Sequence, residues 1–120
     1  MITEELIQKV WDQTVLPAGD FDPNLIGTDC CGAIIVRSEY GNVESQYGWE
    51  IDHVYPQSAG GDDALINLRA MQWQNNRSKG DDFPVYKVAV QAQASVNAPV
   101  DKQLRVNDDL YQKLKNLYHF

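Results

Sequence analysis

The sequence has too few zinc-binding side chains for a structural zinc site. Its 120 residues include only two cysteines, the neighbours Cys30 and Cys31, and only two histidines. A tetrahedral site would need all four, so this kind of brace is nearly excluded. A disulfide between adjacent cysteines would be strained and would close almost no loop. We therefore expect no structural zinc, and we expect both cysteines to act as small buried hydrophobic side chains.

Long apolar runs are also missing. No stretch approaches the roughly 20 apolar residues that span a bilayer, so we expect no membrane partner. Residues 1–13 carry acidic side chains where a secretion signal carries basic ones, which predicts a cytoplasmic protein. A hydrophobic content of 43% and a charged content of 22% are ordinary for a globular chain. This length leaves room for one domain, which we place at 1–120.

The chain also lacks an excess of positive charge. Ten lysines and arginines against 17 acids give a net charge of −7. This balance argues against a protein that coats a long stretch of nucleic acid. It is compatible with a protein partner. The sign is uneven, because residues 1–30 carry six acids and one base. Bases gather in the central segment, at Arg37, Arg69, Arg77 and Lys79. Local charge, and not the total, decides how a phosphate is held.

Periodicity and turn residues predict an α+β chain without repeats. Thr3 is suited to cap a helix over 3–13, and Asn107 to cap a final helix with Leu110, Leu114 and Leu117 on one face. Predicted strands cover 33–37, 47–54, 67–72, 85–94 and 103–106, and a short helix covers 73–79 and ends at Gly80. The turn at SEYGN predicts that the first two strands form a hairpin, which would place Asp52 and His53 at a strand end.

The richest segment is 49–81, WEIDHVYPQSAGGDDALINLRAMQWQNNRSKGD. It combines a histidine that can act as a general base, hard oxygen donors for a divalent cation, and cations suited to a phosphate. Phosphodiester hydrolysis needs all three. Taken alone, His53 would more often be a strand-end histidine bonded to a backbone carbonyl. The pattern around it favours the catalytic interpretation.

This segment resembles the HNH endonuclease family. The resemblance rests on the DH pair, the NL pair fourteen residues later, and NNRSKGD, and it extends over about residues 20–82. It implies a ββα-metal (HNH, His-Me finger) core at about 47–81, with flanking N- and C-terminal helices and extra strands. It also implies Mg²⁺- or Mn²⁺-dependent cleavage of DNA that leaves a 3′-hydroxyl.

The resemblance suggests roles for three residues. His53 would activate the attacking water as general base. Asn67 looks like the middle asparagine of the signature, which orients the histidine or the loop around it, although an asparagine that ends a loop is physically almost as favoured. Asn76 resembles the third signature position, where an amide oxygen would bind the metal and serve catalysis. For the neighbouring Asn75 we expect a solvated helix face.

Charged residues complete the predicted site. Strand alternation would send Asp52 to the metal while His53 reaches the water, with a solvent-facing turn acid as the alternative. Arg77, Lys79 and Arg69 are candidates to contact the phosphates of a nucleic acid. A charge pair at a helix end is as readily a complement to the helix dipole.

The sequence thus predicts an enzyme, a single-metal endonuclease or nickase acting on DNA. The alternative is a non-catalytic HNH-fold module that binds nucleic acid or protein, motivated by the acidic charge. Cleavage of RNA, or action within a toxin or phage system, is a third reading that the sequence does not separate from DNA cleavage.

Overall fold

The computed structural model describes residues 2–120. Its α-helices are α1 (Glu4–Thr14), α2 (Trp73–Lys79) and α3 (Asp108–Tyr118). Its strands are β1 (Leu16–Pro17), β2 (Ile26–Thr28), β3 (Ile34–Val36), β4 (Trp49–His53), β5 (Leu68–Gln72), β6 (Val85–Gln93) and β7 (Val96–Arg105). This mixture of helices and small sheets agrees with the predicted α+β class. Across the described range, no helix is both long and apolar enough to cross a membrane.

The strands form three antiparallel sheets, β1-β2-β3, β4-β5 and β6-β7. The predicted hairpin of 33–37 with 47–54 is therefore wrong. β3 pairs with β2, and β4 pairs with β5 through Ile51 and Ala70. A tight turn explains the error, because the Gly32 amide donates to the Asp29 carbonyl at 3.0 Å and gives β3 a nearer partner upstream. An apolar strand pattern does not encode which strand becomes its neighbour.

Helix ends follow the local sequence signals. Thr3 Oγ1 accepts the Leu6 amide at 3.1 Å at the start of α1, and Asn107 Oδ1 accepts the Leu110 amide at 2.9 Å at the start of α3. Gly80 ends α2 with a φ of +51°, a conformation that favours glycine. These caps confirm the predicted helices. Leu117 departs from the predicted apolar face of α3, since it is 45% exposed.

Strand β5 is the centre of the fold, and all five of its residues are buried. Leu68 and Ala70 pack in the cluster formed with α1, while Met71 packs in a second cluster with β6 and α3. Side chains on a strand alternate between its faces, so Arg69 lies on the side of Met71. This alternation gives the central strand one apolar face and one face that carries a buried charge.

The two cysteines lie in the loop before β3. Both are free thiols, and their sulfurs are joined by a hydrogen bond of 4.0 Å and not by a disulfide. Cys31 is buried in the second cluster, as predicted, whereas Cys30 is only partly buried. The expectation of two small buried hydrophobic side chains therefore holds for Cys31 and only in part for Cys30.

Candidate functional site

An open cleft of about 340 Å³ lies where the end of β4 meets α2. It brings together four of the side chains singled out in the sequence: Asp52 and His53 from β4, and Asn76 and Arg77 from α2. Antiparallel pairing of β4 with β5, followed directly by α2, folds the helix back beside the strand end. The remaining lining residues are Glu50, Ile51, Pro56, Gln57, Gly80 and Asp81.

His53 is paired with a carboxylate in this cleft. Its Nε2 lies 2.7 Å from Oδ1 of Asp63, and the imidazole is 19% exposed. A carboxylate accepts the Nε2 proton, which fixes the tautomer with a lone pair on Nδ1. Nδ1 has no hydrogen-bond partner among residues 2–120. The hydrogen bond with His53 also lowers the pKa of Asp63 below its usual range, so the acid stays ionised. The arrangement leaves one ring nitrogen able to take a proton from water.

Asn67 holds the loop that carries Asp63. Its buried amide accepts from the Tyr55 backbone N–H at 2.7 Å and donates to the carbonyls of Tyr55 and Asp62, both at 3.1 Å. Gly61 completes the loop, because a Cβ there would lie 1.9 Å from the Tyr55 carbonyl oxygen. Asn67 contacts the backbone on both sides of the His53–Asp63 pair and does not contact the imidazole. Asn67 is therefore placed to position the loop. The resemblance implied two possible roles for it, orienting the histidine or orienting the loop around it, and this geometry fits the second.

Asp52 is the centre of a buried ion cluster. Its Oδ2 accepts from Arg69 Nε at 3.0 Å, and its Oδ1 lies 3.2 Å from Lys79 Nζ. Lys79 also donates to the His53 carbonyl at 3.2 Å. A buried carboxylate needs such partners, because removing an unpaired charge from water is costly. The cluster joins β4, β5 and the last turn of α2, and thereby fixes the backbone of both Asp52 and His53.

The three predicted phosphate contacts do not lie together. Arg77 lines the cleft with a side chain that is 57% exposed, over the ring of Trp73 at 5.4 Å. Lys79 is fully buried, and Arg69 is 8% exposed and lines a different cavity. Neither lines the cleft. In this geometry Lys79 and Arg69 bind Asp52, and Arg77 is the cation that lines the cleft.

Asn76 and Glu50 face each other across the cleft. Asn76 Nδ2 donates to Glu50 Oε1 at 3.2 Å, and Arg77 Nη2 lies 3.4 Å from Glu50 Oε2. The Asn76 side-chain oxygen accepts no hydrogen bond from any described residue. It is therefore free to bind a ligand without breaking a contact.

The donor set in the cleft suits a hard divalent cation. It consists of carboxylate oxygens from Asp52 and Glu50 and the amide oxygen of Asn76, which are the ligand types preferred by Mg²⁺ and Mn²⁺. Acids outnumber bases in the lining itself, with Glu50, Asp52 and Asp81 against Arg77, but Arg69 and Lys79 behind the cleft balance this charge through Asp52. No group of three or more His, Cys, Asp or Glu side chains is arranged around a metal position anywhere in residues 2–120. Any ion here would thus rely on the amide and on water for much of its shell.

Asn75 corrects one expectation. It was predicted on a solvated helix face, but it is fully buried. Its Oδ1 accepts the Ala89 and Val90 amides, both at 2.8 Å, at the register shift of β6, and its Nδ2 donates to the Val90 carbonyl and to Asp29. The irregular strand leaves backbone groups that only a buried amide can pair. Asn75 anchors α2 from behind while Asn76 faces the cleft.

Asp29 supports the same helix. Its two oxygens accept four N–H groups, from Cys31, Ala33, Gln72 and Asn75, at 2.8–3.2 Å. Burial raises its pKa above the usual range, although the four donors act in the opposite direction. This acid connects the loop before β3 to the junction of β5 and α2.

Sequence reasoning missed three of these residues. Asp63 lies ten positions after His53 in a glycine-rich loop, Glu50 precedes the DH pair by two, and Asp29 lies far upstream. Alternation along β4 is a signal that would have placed Glu50 on the same face as Asp52. No local signal marks Asp63 or Asp29, because their contacts depend on how the loops fold.

Comparison with known proteins identifies the segment that contains this cleft. Residues 41–85 match the family model described as HNH endonuclease. The matched range contains the Asp52–His53 pair, the loop held by Asn67 and the whole of α2. No curated protein and no solved structure gave a significant match. The match confirms the resemblance to the HNH endonuclease family and indicates a nuclease or other nucleic-acid-related function.

Proposed function

We propose that this chain, whose residues 41–85 match the HNH endonuclease family model, is a metal-dependent endonuclease that hydrolyses DNA phosphodiester bonds. The observation that carries the proposal is the His53–Asp63 pair at 2.7 Å, which opens on the same cleft as the oxygen donors of Asp52 and Asn76. A general base, hard oxygen ligands and a facing cation are the parts that phosphodiester hydrolysis needs.

His53 is the general base of the proposed reaction. Its Nδ1 removes a proton from water as the water oxygen attacks phosphorus, and the ring becomes an imidazolium. Asp63, ionised and bonded to Nε2, stabilises that positive charge. Asn67 is a positioning residue, because it keeps the loop of Asp63 against β4. General-base catalysis of this kind contributes about 10²- to 10⁴-fold in rate.

Asp52 and Asn76 would hold the metal, with Glu50 close by. When bound, Mg²⁺ or Mn²⁺ polarises the phosphate and stabilises the leaving oxygen. Lys79 and Arg69 hold the Asp52 carboxylate in one orientation, and Arg77 contacts a phosphate next to the scissile one. Residues 47–81 then constitute the ββα-metal core, and the remaining elements support it within one domain. This arrangement uses no structural zinc.

A non-catalytic module is the second candidate. Both Asp52 oxygens already have cationic partners, which weakens their attraction for a metal, and the chain carries a net charge of −7. Such a module would bind nucleic acid or protein without cutting. It predicts no thermal shift with divalent cations and no cleavage at any salt concentration.

A substrate and metal panel tests the proposal. The purified chain is incubated with supercoiled plasmid, single-stranded DNA or RNA, each with Mg²⁺, Mn²⁺ or chelator, together with His53→Ala and the exposed control His119→Ala. We expect plasmid nicking or linearisation with metal only, its loss in His53→Ala and full activity in His119→Ala. Cleavage of RNA alone would overturn the assignment to DNA. Equal activity in wild type and His53→Ala would overturn the assignment of the base.

A further inference from the structure

The acids that line the cleft at His53 differ in how much of their charge is already compensated. Asp52 is 3% exposed, and its two oxygens lie 3.0 Å from Arg69 Nε and 3.2 Å from Lys79 Nζ. A divalent cation at this carboxylate would lie close to two buried positive charges, and their repulsion opposes its binding. Asp52 therefore has little negative charge left to offer a metal.

Glu50 lies two positions before Asp52 on β4 and has a weaker counterion. Its side chain is 26% exposed, and its Oε2 lies 3.4 Å from Nη2 of Arg77, whose side chain is 57% exposed. An exposed ion pair of this kind contributes little to stability, because water screens it and both side chains are flexible. Glu50 can therefore exchange Arg77 for a cation at a much smaller cost than Asp52 can leave its two buried partners.

Asn76 brings a second oxygen donor to the same place. It projects from α2, and its Nδ2 donates to Oε1 of Glu50 at 3.2 Å. The amide and the carboxylate thus meet from two different elements, and both line the cleft. The Asn76 oxygen accepts no hydrogen bond from the described part of the chain. One charged oxygen and one neutral oxygen, completed by water, suit a hard divalent cation.

We propose that Glu50 is the principal anionic ligand of the divalent cation, beside Asn76, and that the cation displaces Arg77 from Glu50. This inference rests on the proposed metal-dependent function and assigns the acid that carries most of the metal's affinity. Arg77, once released, is available to bind a phosphate oxygen with its full charge. Binding of the metal and binding of the phosphate are then coupled, because each of them separates the same ion pair and so favours the other.

Binding of Mn²⁺ alone tests the assignment of Glu50. Free Mn²⁺ is measured by electron paramagnetic resonance during titration into wild type, Glu50→Gln and Asp81→Asn. Asp81→Asn is the matched control, because it removes the same charge from an exposed acid in the lining of the same cleft. We expect Glu50→Gln to weaken Mn²⁺ binding by about tenfold or more and Asp81→Asn to weaken it by less than about threefold.

The outcomes separate this assignment from the proposed function. Equal Mn²⁺ affinities in wild type and Glu50→Gln would overturn the role of Glu50 and leave a metal-dependent nuclease standing. Equal losses in Glu50→Gln and Asp81→Asn would also overturn it, because they would reflect net charge alone. If wild type binds no Mn²⁺, the metal-dependent function fails together with the assignment.

Binding of a DNA duplex in chelator tests the displacement of Arg77. Fluorescence anisotropy of a labelled duplex gives the affinity without metal and without cleavage. Glu50→Gln and Asp81→Asn both lose one negative charge, but only the first releases Arg77 from its ion pair. Glu50→Gln should therefore bind the duplex about threefold more tightly than Asp81→Asn, or better. Equal affinities would overturn the coupling. A general loss of structure would not weaken metal binding and strengthen duplex binding together.

Discussion

Two neighbouring residues of β4, Asp52 and His53, have contrasting environments. Asp52 is 3% exposed and bound by two buried cations, whereas His53 is 19% exposed and bound by a single acid on a loop. The first environment joins three elements of secondary structure. The second opens on the cleft and leaves one ring nitrogen without a partner among the residues described.

The two environments differ in how firmly each side chain is held and in how accessible it is. A buried ion cluster is held in one geometry because any displacement would leave a charge unpaired in a poorly solvated place. The imidazole of His53 is 19% exposed, lines the cleft and is held by one acid of a loop. The β4 end thus combines a buried carboxylate held by two cations with a histidine that opens on the cleft.

Asp52→Ala should have the largest effect on the fold. It leaves Arg69 and Lys79 buried without their shared acid, and breaking a buried pair in this way costs about 3–5 kcal/mol. Urea unfolding followed by circular dichroism measures the loss. The control is Glu50→Gln, which removes an acid from the same strand but from a 26% exposed side chain. Similar stabilities for the two variants would show that the cluster does not brace the core.

Asp29→Asn should destabilise the chain by about 2–3 kcal/mol, because the new NH₂ group faces backbone or side-chain N–H donors and leaves them unpaired. The same unfolding measurement gives the value. Asp20→Asn, on an exposed loop, is the matched control. A loss below about 0.5 kcal/mol would contradict the assignment of Asp29 as the anchor of α2.

Asp63→Asn should slow cleavage roughly 10- to 100-fold, as is typical when the partner of a functional histidine is removed. Its effect on stability should be small, since the pair is partly exposed. Initial rates of plasmid nicking measure the effect. Asp62→Asn makes the same change one position away and should retain the wild-type rate within about twofold. A slow Asp62→Asn variant with a fast Asp63→Asn variant would reverse the roles of the two acids.

Local signals were sufficient for the elements of the site. Thr3, Gly80 and Asn107 mark helix ends through bonds or conformations that involve only near neighbours. The β4–β5 pair and α2 lie close to the predicted 47–54, 67–72 and 73–79. The DH, NL and NNRSKGD motifs therefore lie, in this order, on the predicted strand β4, at the start of the predicted strand β5 and on the predicted helix α2.

Long-range pairing was beyond the sequence patterns. The hairpin of 33–37 with 47–54 was wrong because the sheet partner of β3 depends on the turn at Asp29–Gly32. Asn75 looked solvated because its burial requires the irregular strand β6, which lies ten residues downstream. Lys79 and Arg69 looked available to a phosphate because nothing in the linear chain reveals that both converge on Asp52.

Acid titration should reveal the smallest effect. The hydrogen bond from the Tyr118 hydroxyl lowers the pKa of Asp62 below its usual 3.8. A depressed acid pKa stabilises the folded state above the unfolded value, and this contribution disappears as the pH falls through the folded value. Asp62→Asn should thus be slightly less stable than wild type at pH 7, and the difference should shrink below about pH 4. Urea midpoints across that range measure it, and a difference that grows on acidification would contradict the sign.

The coupling between His53 and Asp63 determines whether the acid acts through the imidazole. Nicking rates are measured at high enzyme concentration for wild type, His53→Ala, Asp63→Asn and the double variant. If the acid works through the imidazole, Asp63→Asn should cost roughly 10- to 100-fold in the wild-type background and less than about twofold once His53 is gone. The same factor in both backgrounds would contradict the account.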